Sequence, residues 1–221
     1  MKSVRIWDLP TRLFHWALVL CVCISVVSAK LGGNAMEWHM RCGYTVLALL
    51  AFRILWGLVG GRWSRFSSFV RGPVTLKRYL RGELQAGEHA GHNPLGALSV
   101  LLMLLWLLVQ VATGLVADDE IATTGPLVRF VSGKLSSLAT GWHAGAGQWG
   151  LYALIALHIG AIVFYAVRKG DKLVTAMFSG DKRFAGEVVA TRDSWATRVF
   201  ALALLAACAV AVYLLVSLGN G

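Results

Sequence analysis

Apolar residues fall into five long blocks along the chain, at about 12–30, 39–60, 95–117, 145–167 and 197–218, with polar residues gathered between them. A helix needs roughly 20 mainly apolar residues to cross about 30 Å of hydrocarbon, so each block predicts one transmembrane helix. The first block follows basic residues and ends in small ones near Ser28 and Ala29, as a signal peptide does. Trp7, Asp8, Pro10, Phe14, His15 and Trp16 interrupt the plain passage from basic to apolar that a leader shows, so a retained helix is expected. The core of the fifth block, VFALALLAACAVAVYLLVSL, has no histidine and no strongly polar group, which suits a packing or anchoring helix. Between the second and third blocks, Val74 to Leu84 predicts an interfacial amphipathic helix with Leu76, Tyr79, Leu80 and Leu84 toward lipid. Leu127 to Leu138 is weakly amphipathic, no loop is large enough for a domain, and no internal repeat stands out.

Composition agrees. Of 221 residues, 57% are hydrophobic and only 14% charged, and the mean hydropathy of +0.65 lies outside the range of a soluble domain. The net charge of +10 is a matter of sidedness. Three basic residues lie from the N-terminus through Arg12, seven from Arg53 to Arg81 and seven from Arg168 to Arg198, all on one side of a five-span topology. The other side has Lys30, Arg41, Arg129 and Lys134, with the acidic run Asp118, Asp119, Glu120. The positive-inside rule then puts the N-terminus in the cytoplasm and the C-terminus outside. Basic loops against anionic lipid account for the charge without nucleic acid.

Cys21, Cys23, Cys42 and Cys208 lie in or beside the spans. Cys21 and Cys23 form C-x-C, not the C-x-x-C-H of covalent haem attachment, and no second pair completes a zinc or iron–sulfur site. Small apolar packing residues are the expectation.

An imidazole in hydrocarbon costs free energy unless its nitrogens are satisfied, so histidines within spans are functional candidates. Of six histidines, His89 and His92 lie in a loop, whereas His15, His39, His143 and His158 lie in or at the ends of spans. Fifteen residues separate His143 from His158, about 22 Å along a helix and about 60° around it. Both can face one bundle interior at different depths. By side of the membrane, His39 pairs with His143 and His15 with His158. Gly43 and Gly147 each follow a histidine by one turn on the same face, where a missing side chain makes room for a flat macrocycle or for close helix packing. Haem b with two axial imidazoles fits such pairs. Zinc takes three or four close ligands, and a proton relay through the histidines stays open, although the spans lack the Asp and Glu usual in such chains. Arg12, Arg53 and Arg41 are candidates to pair with haem propionates. Gln110 is one of the few polar groups in the spans, facing a pocket or bonding another helix.

The segments VRIWDLPTRLFHW, EWHMRCGY, FRILWGLVG, HNPLGALSVLLMLLWLLVQVATG, the WH…LH pair and the trailing AMFSGDKR resemble the prokaryotic cytochrome b561 family, which also contains the b-type cytochrome subunit of nickel–iron hydrogenases. The similarity covers about residues 5 to 182. It implies an all-α integral membrane bundle: a four-helix dihaem core in 1–182, then a cytoplasmic linker and fifth transmembrane helix in 183–221. It implies two haem b, with axial ligands His15, His39, His143 and His158. The His143 to His158 spacing is one residue longer than in many relatives, so a turn or a π-bulge is expected to adjust the register.

The resemblance further implies residence in the bacterial inner membrane and electron exchange with ubiquinone or menaquinone. The partner on the outer side would be a periplasmic c-type cytochrome or another redox protein. An electron-transfer subunit is the expected function. A self-contained oxidoreductase of the superoxide:quinone type and a haem-free transporter subunit are the alternatives, so whether the chain is itself an enzyme stays open.

Overall fold

The structure is a computed structural model that describes residues 1–83 and 90–220. Leu84 and His89 lie outside the described residues. In chain order the elements are β1 (Lys2–Arg5), α1 (Leu9–Leu31), α2 (Met36–Val59), α3 (Phe66–Phe69), α4 (Pro73–Leu80), α5 (Pro94–Leu115), α6 (Gly133–Gly141), α7 (Gly147–Lys169), α8 (Leu173–Ser179), β2 (Asp181–Phe184) and α9 (Trp195–Ser217). All five apolar blocks become helices long and apolar enough to span a membrane. The chain is a multi-pass helical membrane protein.

Two compact units divide the residues, and each draws on all five long helices. The first unit comprises Met1–His15, Arg53–Leu102 and Leu157–Ala203. Here β1 pairs antiparallel with β2, Lys2 opposite Phe184 and Arg5 opposite Asp181. Asp8, 0% exposed, caps α1 by accepting from Thr11 N at 2.9 Å. It also accepts from Ser64 Oγ at 2.7 Å and Trp56 Nε1 at 3.3 Å. Gly61 is required beside it, since a Cβ there would lie 2.3 Å from Asp8 Oδ2. Ile6, Trp7, Trp63, Ala90 and Ala176 form an apolar cluster around this corner.

The segment before α9 is strapped onto the same unit. Thr191 N donates to Arg5 O, Trp63 Nε1 donates to Val189 O, and Asp193 accepts from Arg5, Leu9 N and Arg198. Burial pushes the Asp193 carboxyl up, but the bonds from Arg198, Leu9 N and Arg5 win and hold it below its usual range. Asn93 caps α5 by accepting from Gly96 N, with Pro94 at the first helical position. The amphipathic helix is α4, with Leu80 exposed. Tyr79 departs from the expected lipid-facing set: its hydroxyl meets that of Tyr165 at 2.7 Å, because a phenol gains a partner by turning to the bundle.

The second unit comprises Trp16–Phe52, Met103–Ala156 and Leu204–Gly221. Its core is Val46, Leu50, Leu107, Val111, Leu115 and Leu151, with Val216 of α9 packed against it. Ser136 Oγ donates to Val116 O and Thr140 Oγ1 accepts from Asp118 N, which ties α6 to the end of α5. In the acidic run, Asp119 Oδ1 accepts from the N–H groups of Ile121, Ala122 and Thr123. Those bonds hold its pKa down to about 2. Cys42 and Cys208 are buried as expected, whereas Cys23 is exposed on the outer face of α1.

Candidate functional site

The pair in the second unit is the more fully built. His39 sits one turn into α2, and its Nδ1 lies 2.9 Å from Ser25 O and 3.0 Å from Ser25 Oγ. His143 Nδ1 lies 2.7 Å from Gln110 O. A carbonyl only accepts, so in both rings Nδ1 carries the proton and Nε2 is left as the lone-pair nitrogen. The ring centroids are 5.8 Å apart and nearly perpendicular.

Local sequence explains how His143 is presented. Residues Trp142–Ala146 form a π turn whose Gly145 departs from helical angles at φ −106, ψ −110, the register adjustment that the His143 to His158 spacing called for. Across it, Gln110 Nε2 donates to His143 O and Trp106 Nε1 donates to Gly147 O, each at 2.8 Å. Gln110 thus does both things foreseen for it: it bonds another segment and lines a cavity of about 320 Å³.

Gly43 faces that cavity, with nothing within 4 Å of a Cβ built on it. Gly147 does not. A Cβ there would lie 2.2 Å from Gln110 Oε1 and 2.6 Å from Trp142 Nε1, because the π turn rotates it against those side chains. The glycine missed by sequence is Gly114, where a Cβ would come within 2.7 Å of His143 Cε1. It lets the imidazole lie flush against α5, and no spacing relative to His143 could have shown this.

The pair in the first unit is His15 on α1 and His158 on α7, with ring centroids 6.5 Å apart and planes at 48°. Arg53, only 3% exposed, lies with its guanidinium 4.9 Å over the Phe66 ring, and its Nη1 has no hydrogen-bond partner. Gly57 makes that possible, since any Cβ would collide with Phe66. Arg12 Nη1 donates to Phe178 O while its Nε is enclosed and unpartnered. Arg41 is different: exposed, it pairs with Glu37 one turn before it and covers Trp38, so its charge is already engaged.

His92, left in a loop by the sequence, is built into the first unit. Its ring lies 4.6 Å from both Trp7 and Phe69. Burial first, then the charges of Arg53 and Lys182 and the nearby His158, push its pKa down to about 3. The signal that could have found it is its place in HNPLG, one residue before the α5 cap.

Metal–imidazole bonds of about 2 Å place two trans rings roughly 6 Å apart between centroids, and both pairs meet that spacing. Among the described residues no group of three or more His, Cys, Asp or Glu gathers as a metal site. The His39 and His143 pair has lone-pair Nε2 atoms beside a mainly apolar cavity, and the unit that holds His15 and His158 contains the unpartnered arginine nitrogens, so the residues present fit haem.

The family described as prokaryotic cytochrome b561 matches residues 6–180. The "Probable Ni/Fe-hydrogenase B-type cytochrome subunit" of Bradyrhizobium diazoefficiens is 21% identical, over 82% of this chain and 87% of that one. The "Probable Ni/Fe-hydrogenase 1 B-type cytochrome subunit" of Escherichia coli is 23% identical, over 80% and 90%. A protein of Rhodobacter capsulatus with the same name as the first is 25% identical, over 82% of each chain. No solved structure matches significantly.

Proposed function

The chain belongs to the prokaryotic cytochrome b561 family, and on that premise we propose that it is an electron-transfer subunit holding two b haems, an outer one at His39 and His143 and an inner one at His15 and His158. One observation carries the reading: four imidazoles from three spans meet as two pairs at the separation a shared metal needs. Haem held there by these histidines would supply a one-electron iron couple.

The chain's own residues then have distinct tasks. Ser25 O and Gln110 O fix the tautomer and the ring orientation of His39 and His143, the second-shell role that raises ligand basicity. Gly43 and Gly114 leave space. Arg12 and Arg53 offer donors to propionates. The mainly apolar walls of the cavity at His39 and His143 would exclude water and so tune the potential of an iron held there.

Quinone is proposed as the partner within the membrane. The names of the relatives favour a Ni/Fe hydrogenase as the partner outside it; a periplasmic c-type cytochrome is the other redox protein of suitable chemistry. The proposed location is a bacterial inner membrane, with the N-terminus in the cytoplasm and the C-terminus in the periplasm, and the one-sided distribution of basic residues supports that orientation.

The experiment is direct. Purified protein is expected to show a reducible b-type spectrum with two haems per chain, and alanine at His15, His39, His143 or His158 is expected to remove about one haem each. A haem-free preparation, or four variants that all keep both haems, overturns the reading. Quinone reduction without any partner protein would instead favour a self-contained oxidoreductase.

A further inference from the structure

We propose that His92 and Lys182 join Arg53 as the carboxylate-binding end of the inner haem site, an inference that rests on haem lying between His15 and His158. The starting point is an imbalance. Arg53 is enclosed with an unpartnered Nη1, yet a guanidinium stays charged and carries five donors. Asp8 is within electrostatic reach of it, but the Asp8 oxygens are taken by Thr11 N, Trp56 Nε1 and Ser64 Oγ. Among the described residues no bonded carboxylate answers the arginine.

Two more donors stand with it. A continuous aromatic array links Arg53 to His92: Arg53 lies over Phe66, Phe66 meets Phe69 at 5.7 Å, Phe69 meets His92 at 4.6 Å, and Trp7 also lies 4.6 Å from His92. His92 Nδ1 is enclosed and has no hydrogen-bond partner. Lys182 projects inward from β2 with its side chain 14% exposed, and its ion pair is a long one, 3.7 Å to the half-exposed Asp171. On the sheet Lys182 stands opposite Val4, Val4 packs on the cluster that contains Trp7, and Trp7 touches His92, so strand pairing brings the ammonium to the corner that holds the imidazole.

A cluster that is cationic, enclosed and short of acceptors is complementary to an anion with several oxygens. A dicarboxylate whose body is a flat apolar ring satisfies it while the ring occupies the bundle. Haem has that form, so the inner haem is oriented with its propionates toward β2 and α3. Sequence could not separate Lys182 from the six other basic residues of its segment.

The test uses the full-length protein in detergent. Lys182→Met and His92→Phe, the latter keeping the ring between Trp7 and Phe69, are compared with wild type, with Lys182→Arg and with Lys77→Met as an exposed basic control. Haem content, the midpoint potentials and the rate of haem transfer to apomyoglobin are measured. The set is then repeated on apoprotein loaded with protohaem dimethyl ester, whose carboxylates are blocked.

Expected with ordinary haem is a lower inner potential in Lys182→Met, because a lost cation disfavours the reduced and more negative haem. Loss of the inner haem should be about tenfold faster in both variants, the equivalent of one good charge-assisted hydrogen bond. The outer haem, Lys182→Arg and Lys77→Met should be unchanged. With the ester, wild type and variants should coincide. Unchanged potential and retention in a two-haem protein overturn the inference alone. An equal shift with the ester also overturns it, since the anion would then be another, such as a lipid phosphate. Wild type without haem overturns both this inference and the reading beneath it.

Discussion

Gln110 handles one histidine from two sides, accepting from the ring through its backbone carbonyl and donating to the histidine's own carbonyl through its amide. Leucine at 110 keeps the first contact and loses the second, about 1 kcal/mol of net stabilisation. Faster loss of the outer haem, with the inner one unaffected, is the expected result in a haem-transfer assay. Gly114→Val should act more strongly. A branched side chain where even a Cβ would stand 2.7 Å from His143 Cε1 must displace the imidazole, and a one-haem protein is expected by pigment analysis. Asp8 matters for stability instead. Replacing it with alanine removes the acceptor of Thr11 N, Trp56 Nε1 and Ser64 Oγ, and a buried donor left unmade costs about 1–3 kcal/mol. A clear fall in the thermal midpoint in detergent would verify it, with both haem spectra intact below the transition.

Among the elements, β1, the start of α1 and the start of α9 converge on one carboxylate, Asp193, through Arg5, Leu9 N and Arg198. Its pKa is held below the usual carboxylate range, so the unfolded chain takes up the proton first on acidification. Its stabilising contribution is complete above the unfolded value, about 3.9, and is lost as pH falls through the lower folded value. Acid should therefore weaken this junction below about pH 4, read as proteolytic release of the N-terminal strand. In Asp193→Asn that acid-dependent step should vanish and the junction be weaker throughout. The π turn at Trp142–Ala146 is the other decisive element, since it sets the face from which His143 leaves the helix.

For the whole molecule, the distribution of basic residues makes topology the prediction. Reporter fusions after Arg81 and after Arg183 should report cytoplasm, and fusions after Asp119 and at the C-terminus should report periplasm. Moving seven basic residues from the Arg53 to Arg81 segment to the outer loops should perturb insertion and leave helix content intact, since the spans owe their helicity to internal backbone bonding in lipid.

Sequence alone determined the five spans, because a membrane helix depends on the summed hydropathy of about 20 consecutive residues and satisfies its own backbone. It also marked the four paired histidines, since an ionisable ring is conspicuous against an apolar span. It did not reveal the β1 to β2 pairing, where four-residue strands are too short to carry a period and partners such as Ser3 and Arg183 are 180 residues apart in the chain. Nor did it distinguish Gly147, packed against Gln110 and Trp142, from Gly114, which yields space to His143. The packing of His92 against Trp7 and Phe69 was equally hidden. Which polar group meets which across the bundle follows from a π turn, helix rotation and the packing of aromatic rings, and these are settled only when the spans press together.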